Sequence, residues 1–205
     1  MVFSDKQACS MEFIEKEVNM ALKYGFLKVL LVFMIFELGA AFTAPLWTHF
    51  VEHLGGDVRG AGEAIFLYSI IFAIVGAFWS LLYERLPKKY YIYPLSLIFT
   101  ALGFFCYSLI SSIYELYVLQ IYLGLVGSIQ PVAFARIYEN NFDNIRSVLP
   151  WGIYEASWLV VVGVGSLASA HLVYHYGFNV MFYCMTAISL LAVPVYFIVA
   201  RNDII

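Results

Sequence analysis

Hydrophobic positions in this sequence fall into six blocks, each close to the length that crosses a bilayer and each ended by a short polar break. The blocks run about 26–52, 61–83, 90–112, 115–138, 150–174 and 178–200, and a helix needs roughly 20 apolar residues to span hydrocarbon. Turn formers mark the breaks: Gly55-Gly56, Pro87, Ser111-Ser112, Asn140-Asn141 and Gly177. The pattern predicts an all-α, polytopic membrane protein with six transmembrane helices in one bundle over 26–200. A polar segment, 1–25, precedes the bundle and a short tail, 201–205, follows it. Within 10–24, Ser10 can cap a helix whose Met11, Ile14, Val18 and Ala21 share one face. That stretch reads either as an interfacial helix on the membrane or as a polar tail.

Composition agrees. The chain is 63% hydrophobic and 12% charged, with mean hydropathy +0.85, where a soluble domain is about half apolar. The positions of Lys and Arg say more than the net charge of −3. With both ends inside, Lys6, Lys16, Lys23, Lys28, Arg85, Lys88, Lys89, Arg136, Arg146 and Arg201 share one side, and only Arg59 is left on the other. Because cytoplasmic loops concentrate Lys and Arg, this predicts a multi-pass protein of the cell membrane with both termini cytoplasmic. Acids and bases are mixed through 1–25, unlike a cleaved secretory signal. Cys9, Cys106 and Cys184 are scattered, with no spacing of a metal knuckle or disulfide framework.

Two weak repeats run through the blocks. Leu38-Gly39 followed by Pro45 recurs as Leu123-Gly124 followed by Pro131, and Gly76 with Ser80 recurs as Gly165 with Ser169. Offsets of three helices invert the copies, so the expected architecture is two inverted three-helix repeats.

Polar residues inside the blocks are the candidate chemistry. Glu37 lies about eleven residues into the first helix, near mid-bilayer at 1.5 Å per residue. A carboxylate there is costly unless protonated, paired or facing water. Glu37, Ala41, Ala44 and Thr48 fall at helical spacing opposite the apolar Val32, Ile35, Phe42 and Leu46. The small, polar stripe is therefore expected to face a cavity, the alternative being a carboxyl bonded to a neighbouring helix. A matching stripe in the fourth helix holds Gln120, Gly124, Gly127 and Pro131, with Gln130 beside it. Close packing accounts for the glycines, which leaves Gln120 and Gln130 to bond a substrate. Small-residue ridges at Ser69, Ala73 and Gly76, and at Gly152, Ala156 and Gly163, suit close helix contact. His49-Phe50-Val51-Glu52-His53 matches the His-x-x-Glu-His pattern of zinc proteases. It ends a membrane segment and runs into Gly55-Gly56 with no evident third ligand, so neither an enzyme nor a metal site is expected. His49/His53 and His171/His175 form two pairs at i, i+4, a spacing that can bind a metal or titrate near neutrality. They read more simply as interfacial side chains. No cofactor and no nucleic-acid partner is indicated.

The stretch Gly76-Ala-Phe-Trp-Ser-Leu-Leu-Tyr-Glu-Arg-Leu-Pro-Lys-Lys89 resembles the loop between helices two and three of the major facilitator superfamily, Gly-x-x-x-Asp-Arg-x-Gly-Arg/Lys-Arg/Lys. Ser80, Glu84 and Pro87 replace the glycine, aspartate and second glycine, while Arg85, Lys88 and Lys89 fit as they stand. The stretch from Gly165 to Phe182, with its Tyr-Gly-Phe-Asn turn, is similar to the junction of helices five and six in the same family. The resemblance covers 26–200, the content of one six-helix half of a usual twelve-helix member. It implies that helices one and four line a central cavity and that helices two and five meet the opposing half. It also implies that Ser80, Glu84, Arg85, Lys88, Lys89, Arg136 and Glu155 belong to a cytoplasmic gate.

The expected function is therefore a half-size, major-facilitator-like transporter of a small solute, working by alternating access as a homodimer through helices two and five. Proton coupling is expected through Glu37, with Thr48, Gln120 and Gln130 as further substrate- or proton-binding residues, and the lipid bilayer as the surrounding partner. The alternatives are a non-transporting membrane accessory or assembly subunit, or one half of a split twelve-helix transporter.

Overall fold

Helix signals in the chain are local and strong. The computed structural model describes residues 26–86, 89–140 and 148–203. The interfacial-helix reading of 10–24, and the readings of Pro87, Lys88 and Arg146, lie outside the described residues. Among the described residues seven α-helices follow one another: α1 (Phe26–Ala40), α2 (Trp47–His53), α3 (Val58–Leu82), α4 (Ile92–Cys106), α5 (Ile113–Gly127), α6 (Ile129–Asn140) and α7 (Leu149–Asp203). Short 3₁₀ turns at Ala44–Leu46, Tyr83–Arg85 and Lys89–Tyr91 link some of them. Five helical stretches among the described residues are long and apolar enough to cross a membrane: Phe26–His53, Val58–Arg85, Lys89–Cys106, Ile113–Asn140 and Leu149–Val199.

Caps and prolines set the boundaries. The Asp57 carboxylate accepts the Gly60 N–H at 2.8 Å and starts α3. Ser112 starts α5 by accepting the Glu115 N–H at 3.4 Å, while the Glu115 carboxylate accepts the Ser111 N–H at 2.7 Å. Pro45 sits in the turn between α1 and α2, and Pro131 in the first turn of α6. A proline has no N–H to give and crowds the preceding turn, so both membrane stretches break there.

The last stretch spans 51 residues, roughly 76 Å if straight, far more than a bilayer. Gly177 interrupts it with φ 80°, a conformation that costs glycine least. Ring contacts show that the chain doubles back at this point. Tyr154 lies 5.5 Å from Phe134, Phe134 lies 6.1 Å from Tyr93, and Tyr93 lies 5.6 Å from Tyr196. A straight helix would hold Tyr154 and Tyr196 roughly 60 Å apart. Near the turn, Phe178 and Phe182 pack on Phe50 at 5.4 and 4.8 Å.

The core is aromatic. Phe134 is its hub, 4.7 Å from Phe33 and 5.1 Å from Tyr138. Phe66, Ile74, Phe78 and Leu81 of α3 face outward, each at least 60% exposed. Such a face suits hydrocarbon and not water. Gly39 lets α1 approach α7 closely: a Cβ there would meet the Ser189 side chain and the Met185 carbonyl oxygen, the latter at 2.7 Å. Gly39→Val should therefore cost about 1–3 kcal/mol and lower the melting temperature in detergent by several degrees. Gly62→Ala, at a site with nothing within 4 Å, should leave it unchanged or raise it. Equal melting of the two variants would contradict the close packing of α1 on α7.

Candidate transport cavity

Polar groups from α1, α4, α5 and α6 converge on one space inside the bundle. The cavity measures about 820 Å³ and is lined by residues of α1 to α6 and of the first part of α7. Glu37 reaches it from α1. The Trp158 indole of α7 and the Tyr68, Tyr93 and Tyr154 phenols lie within electrostatic reach of its carboxyl. Gln120, 4% exposed, donates through Nε2 to the Tyr107 hydroxyl at 2.8 Å. Gln130 and Thr100 also line the space, and Gln130 Nε2 and Thr100 Oγ1 are buried with no hydrogen-bond partner. An unpaired buried polar atom costs roughly 1–3 kcal/mol, so these two groups are poised to bond whatever enters.

Three of the four residues expected to bind substrate or protons, Glu37, Gln120 and Gln130, thus meet at this cavity. Thr48 stands exposed and does not line it. Of the rest of its stripe, Ala44 lines the space, while Ala41 is buried against the site where Gly165 would carry a Cβ, 2.8 Å away. The break ahead of Pro45 resets the helical phase, and Ala40, Thr43 and Trp47 take the lining positions. Thr43 hydroxyl donates to the Ala40 carbonyl at 3.3 Å. Sequence reasoning missed Tyr68, Thr100, Tyr154 and Trp158. Trp151, Tyr154 and Trp158 fall at helical spacing along one face of α7, a stripe that was the available signal.

At one end of the bundle, Glu84 gathers the charges expected at the gate. Lys89 Nζ lies 2.7 Å from one carboxylate oxygen and Arg136 Nε 3.4 Å from the other. The Tyr83 ring centroid lies 5.6 Å from the Lys89 ammonium. The pairs are exposed, so each contributes about 0–1 kcal/mol and is easily broken. Arg85 is exposed, and the Ser80 hydroxyl donates to the Gly76 carbonyl at 3.0 Å. Glu155 and Glu139 are exposed and form no ion pair among the described residues. At the other end, the Tyr117 hydroxyl donates to Glu63 at 2.7 Å, Arg59 Nε lies 2.9 Å from Glu63, and His49 lies 3.3 Å from Glu52. The His53 ring packs 5.5 Å from Phe178. Among the described residues no group of three or more His, Cys, Asp or Glu could hold a metal ion.

α3 and the first part of α7 both line the cavity and share no extensive packed face. Ala73 and Ala156 are exposed, and Gly152 and Gly163 have nothing within 4 Å of a would-be Cβ. Gly76 instead packs toward Ser128, whose carbonyl oxygen would lie 3.5 Å from a Cβ.

No curated protein matches this chain. Among family models, that of the Major Facilitator Superfamily matches residues 29–203, nearly all of the bundle. A match of that extent, on an all-helical bundle of membrane-length stretches, makes this chain a member of the major facilitator superfamily and a multi-pass membrane protein of the transporter type.

Proposed function

We propose that the chain is a half-size transporter that moves a small solute by alternating access and couples this movement to protons through Glu37. The observation that carries the reading is the placement of one membrane-depth carboxyl in a cavity large enough for a small molecule. A carboxyl in such a cavity, with no basic residue on the lining among the described residues, can take up or release a proton as water reaches it or is excluded. Gln120, Gln130 and the cavity-lining Thr43 supply hydrogen bonds. Thr48, exposed at the start of α2, is assigned to the solute's entry route.

Six crossings, arranged as two inverted three-helix repeats, fit the doubling back at Gly177. A pair of equivalent contacts supports the repeat. Gly76 packs toward Ser128, and Gly165 packs toward Ala41. Residues 76 and 165 differ by 89 positions and 128 and 41 by 87, close to the same three-helix offset. The Lys and Arg bias supports cytoplasmic termini and places Glu84 at the inner end.

One bundle supplies one wall, so the cavity needs an opposing bundle to keep Glu37 from lipid. A second copy related by an axis along the membrane normal supplies it with both copies in one orientation. The exposed Ala73 and the open glycines of α7 are the close-contact surface. Across this junction Glu155 and Glu139 face the partner's basic residues, while Glu84 holds Lys89 and Arg136. Together with Ser80, Arg85 and Lys88 these charges form the inner gate.

In proteoliposomes an imposed pH gradient should drive accumulation of at least one solute from a chemically varied panel above protein-free vesicles. Absence of any gradient-driven flux across such a panel would count against proton coupling. The gate has its own test. Arg136→Gln removes a partner of Glu84 and should raise labelling of a cavity cysteine at position 69 from the cytoplasmic side severalfold. Unchanged labelling would remove Arg136 from the gate.

A further inference from the structure

Twelve of the twenty-five residues lining the cavity are aromatic, against 19% of the whole chain. An apolar substrate would be served as well by aliphatic side chains, which the chain has in abundance, so the enrichment points to the ring faces themselves. A ring face carries negative electrostatic potential and attracts a cation lying over it. The only formal charge on the lining is negative, the Glu37 carboxylate; no Lys, Arg or His lines the space among the described residues. Tyr68, Tyr93, Tyr154 and Trp158 share the cavity with that carboxylate, from α3, α4 and α7, and lie within its electrostatic reach. An anion entering here would meet a like charge with no counter-ion. A neutral solute would leave the carboxylate to protons alone and give the ring faces no charge to hold. From this lining we infer that the cavity takes an amphipathic organic cation, such as a protonated amine or quaternary ammonium with an apolar body, held over the aromatic faces with Glu37 as counter-ion.

The buried Gln130 Nε2 and Thr100 Oγ1, both without partners, offer hydrogen bonds to an acceptor group elsewhere on the same molecule. The volume, about 820 Å³, lies in the range of pockets that enclose drug-sized ligands. The inference rests on the transport reading for its cargo, but the binding step stands apart from it. It also gives Glu37 two mutually exclusive occupants, the cation and a proton, so protons should compete with the cation at this one carboxyl.

Tetraphenylphosphonium and tetraphenylborate are nearly the same size and shape and carry opposite charge. Titrated into the purified full-length protein in mild detergent and followed by tryptophan fluorescence and equilibrium dialysis, the cation should bind saturably. The borate should bind at least tenfold more weakly. Glu37→Gln should weaken the cation at least tenfold, Glu37→Asp should restore much of the loss, and lowering the pH should weaken binding to the wild-type protein only. Equal binding of cation and borate to the wild-type protein would overturn the inference, as would no binding of either. The two-ion comparison needs no variant, so misfolding of a Glu37 substitution would not obscure it. Gradient-driven accumulation of some other solute without tetraphenylphosphonium binding would overturn the cation assignment and leave the transport reading standing. Saturable, Glu37-dependent binding with no gradient-driven flux of any solute would do the reverse.

Discussion

Glu37→Gln should abolish transport driven by a pH gradient while leaving the bundle folded. Glutamine keeps the size of the side chain and an oxygen that can accept from the nearby Trp158 indole. It removes the charge, and burying an amide costs much less than burying a carboxylate. The melting temperature should therefore stay the same or rise. What the amide cannot do is bind or release a proton. Gradient-driven uptake into proteoliposomes should fall at least a hundredfold, while any exchange of solute for solute that needs no proton should persist at solute concentrations high enough to offset weaker binding. Full pH-dependent uptake by the variant would take Glu37 out of the mechanism.

A tryptophan at Ala73 or Ala156 should separate the two copies and stop transport with them. Both alanines are exposed on helices that line the cavity. Ala73 lies one helical turn from the cavity-lining Ser69, and Ala156 lies between Gly152 and Gly163, which have open space around them. Packing of helices in lipid depends on close backbone approach, so a large side chain on such a surface holds the partner away. Multi-angle light scattering in mild detergent should show a shift from dimer to monomer of at least tenfold in apparent dissociation constant. Ile98→Trp is the control, because Ile98 is 41% exposed on α4, away from both ridges. Loss of dimer in the control and not at Ala73 or Ala156 would move the contact elsewhere. A monomeric wild-type protein would favour the accessory-subunit or split-transporter readings.

What was legible in the sequence follows from how local each signal is. The blocks and their breaks were legible because a membrane-length apolar run and a turn-forming glycine at residue 177, whose φ is 80°, are local signals. Glu37 stood out because a carboxylate within such a run requires an explanation. Gln120 and Gln130 followed from the same argument on the fourth block. Thr48 did not reach the cavity because spacing was counted straight through Pro45, where the chain leaves the α-helix for a 3₁₀ turn. The position that carries the stripe forward is Thr43, three residues beyond Ala40. Trp158 and Tyr154 were hidden by abundance: with 16 tyrosines and 18 phenylalanines in the chain, aromatic side chains in α7 looked like core or membrane belt. Their role depends on α7 packing along α1, a long-range contact that periodicity does not carry. The Gly76 ridge was only partly legible, since spacing grouped Gly76 with Ala73 whereas packing divides them between Ser128, at the junction of α5 and α6, and the open face.

The central claim is that this cavity is a water-filled path opened to each side of the membrane in turn. Ser69 lines the cavity and is exposed, so a cysteine there, with Cys9, Cys106 and Cys184 replaced by serine, reports on access directly. Membrane-impermeant maleimide added to one side or the other of oriented, sealed vesicles should label Ser69→Cys from both sides. Saturating solute should change the two rates in opposite directions. Labelling from one side alone, whatever solute is present, or no labelling from either, would contradict the account.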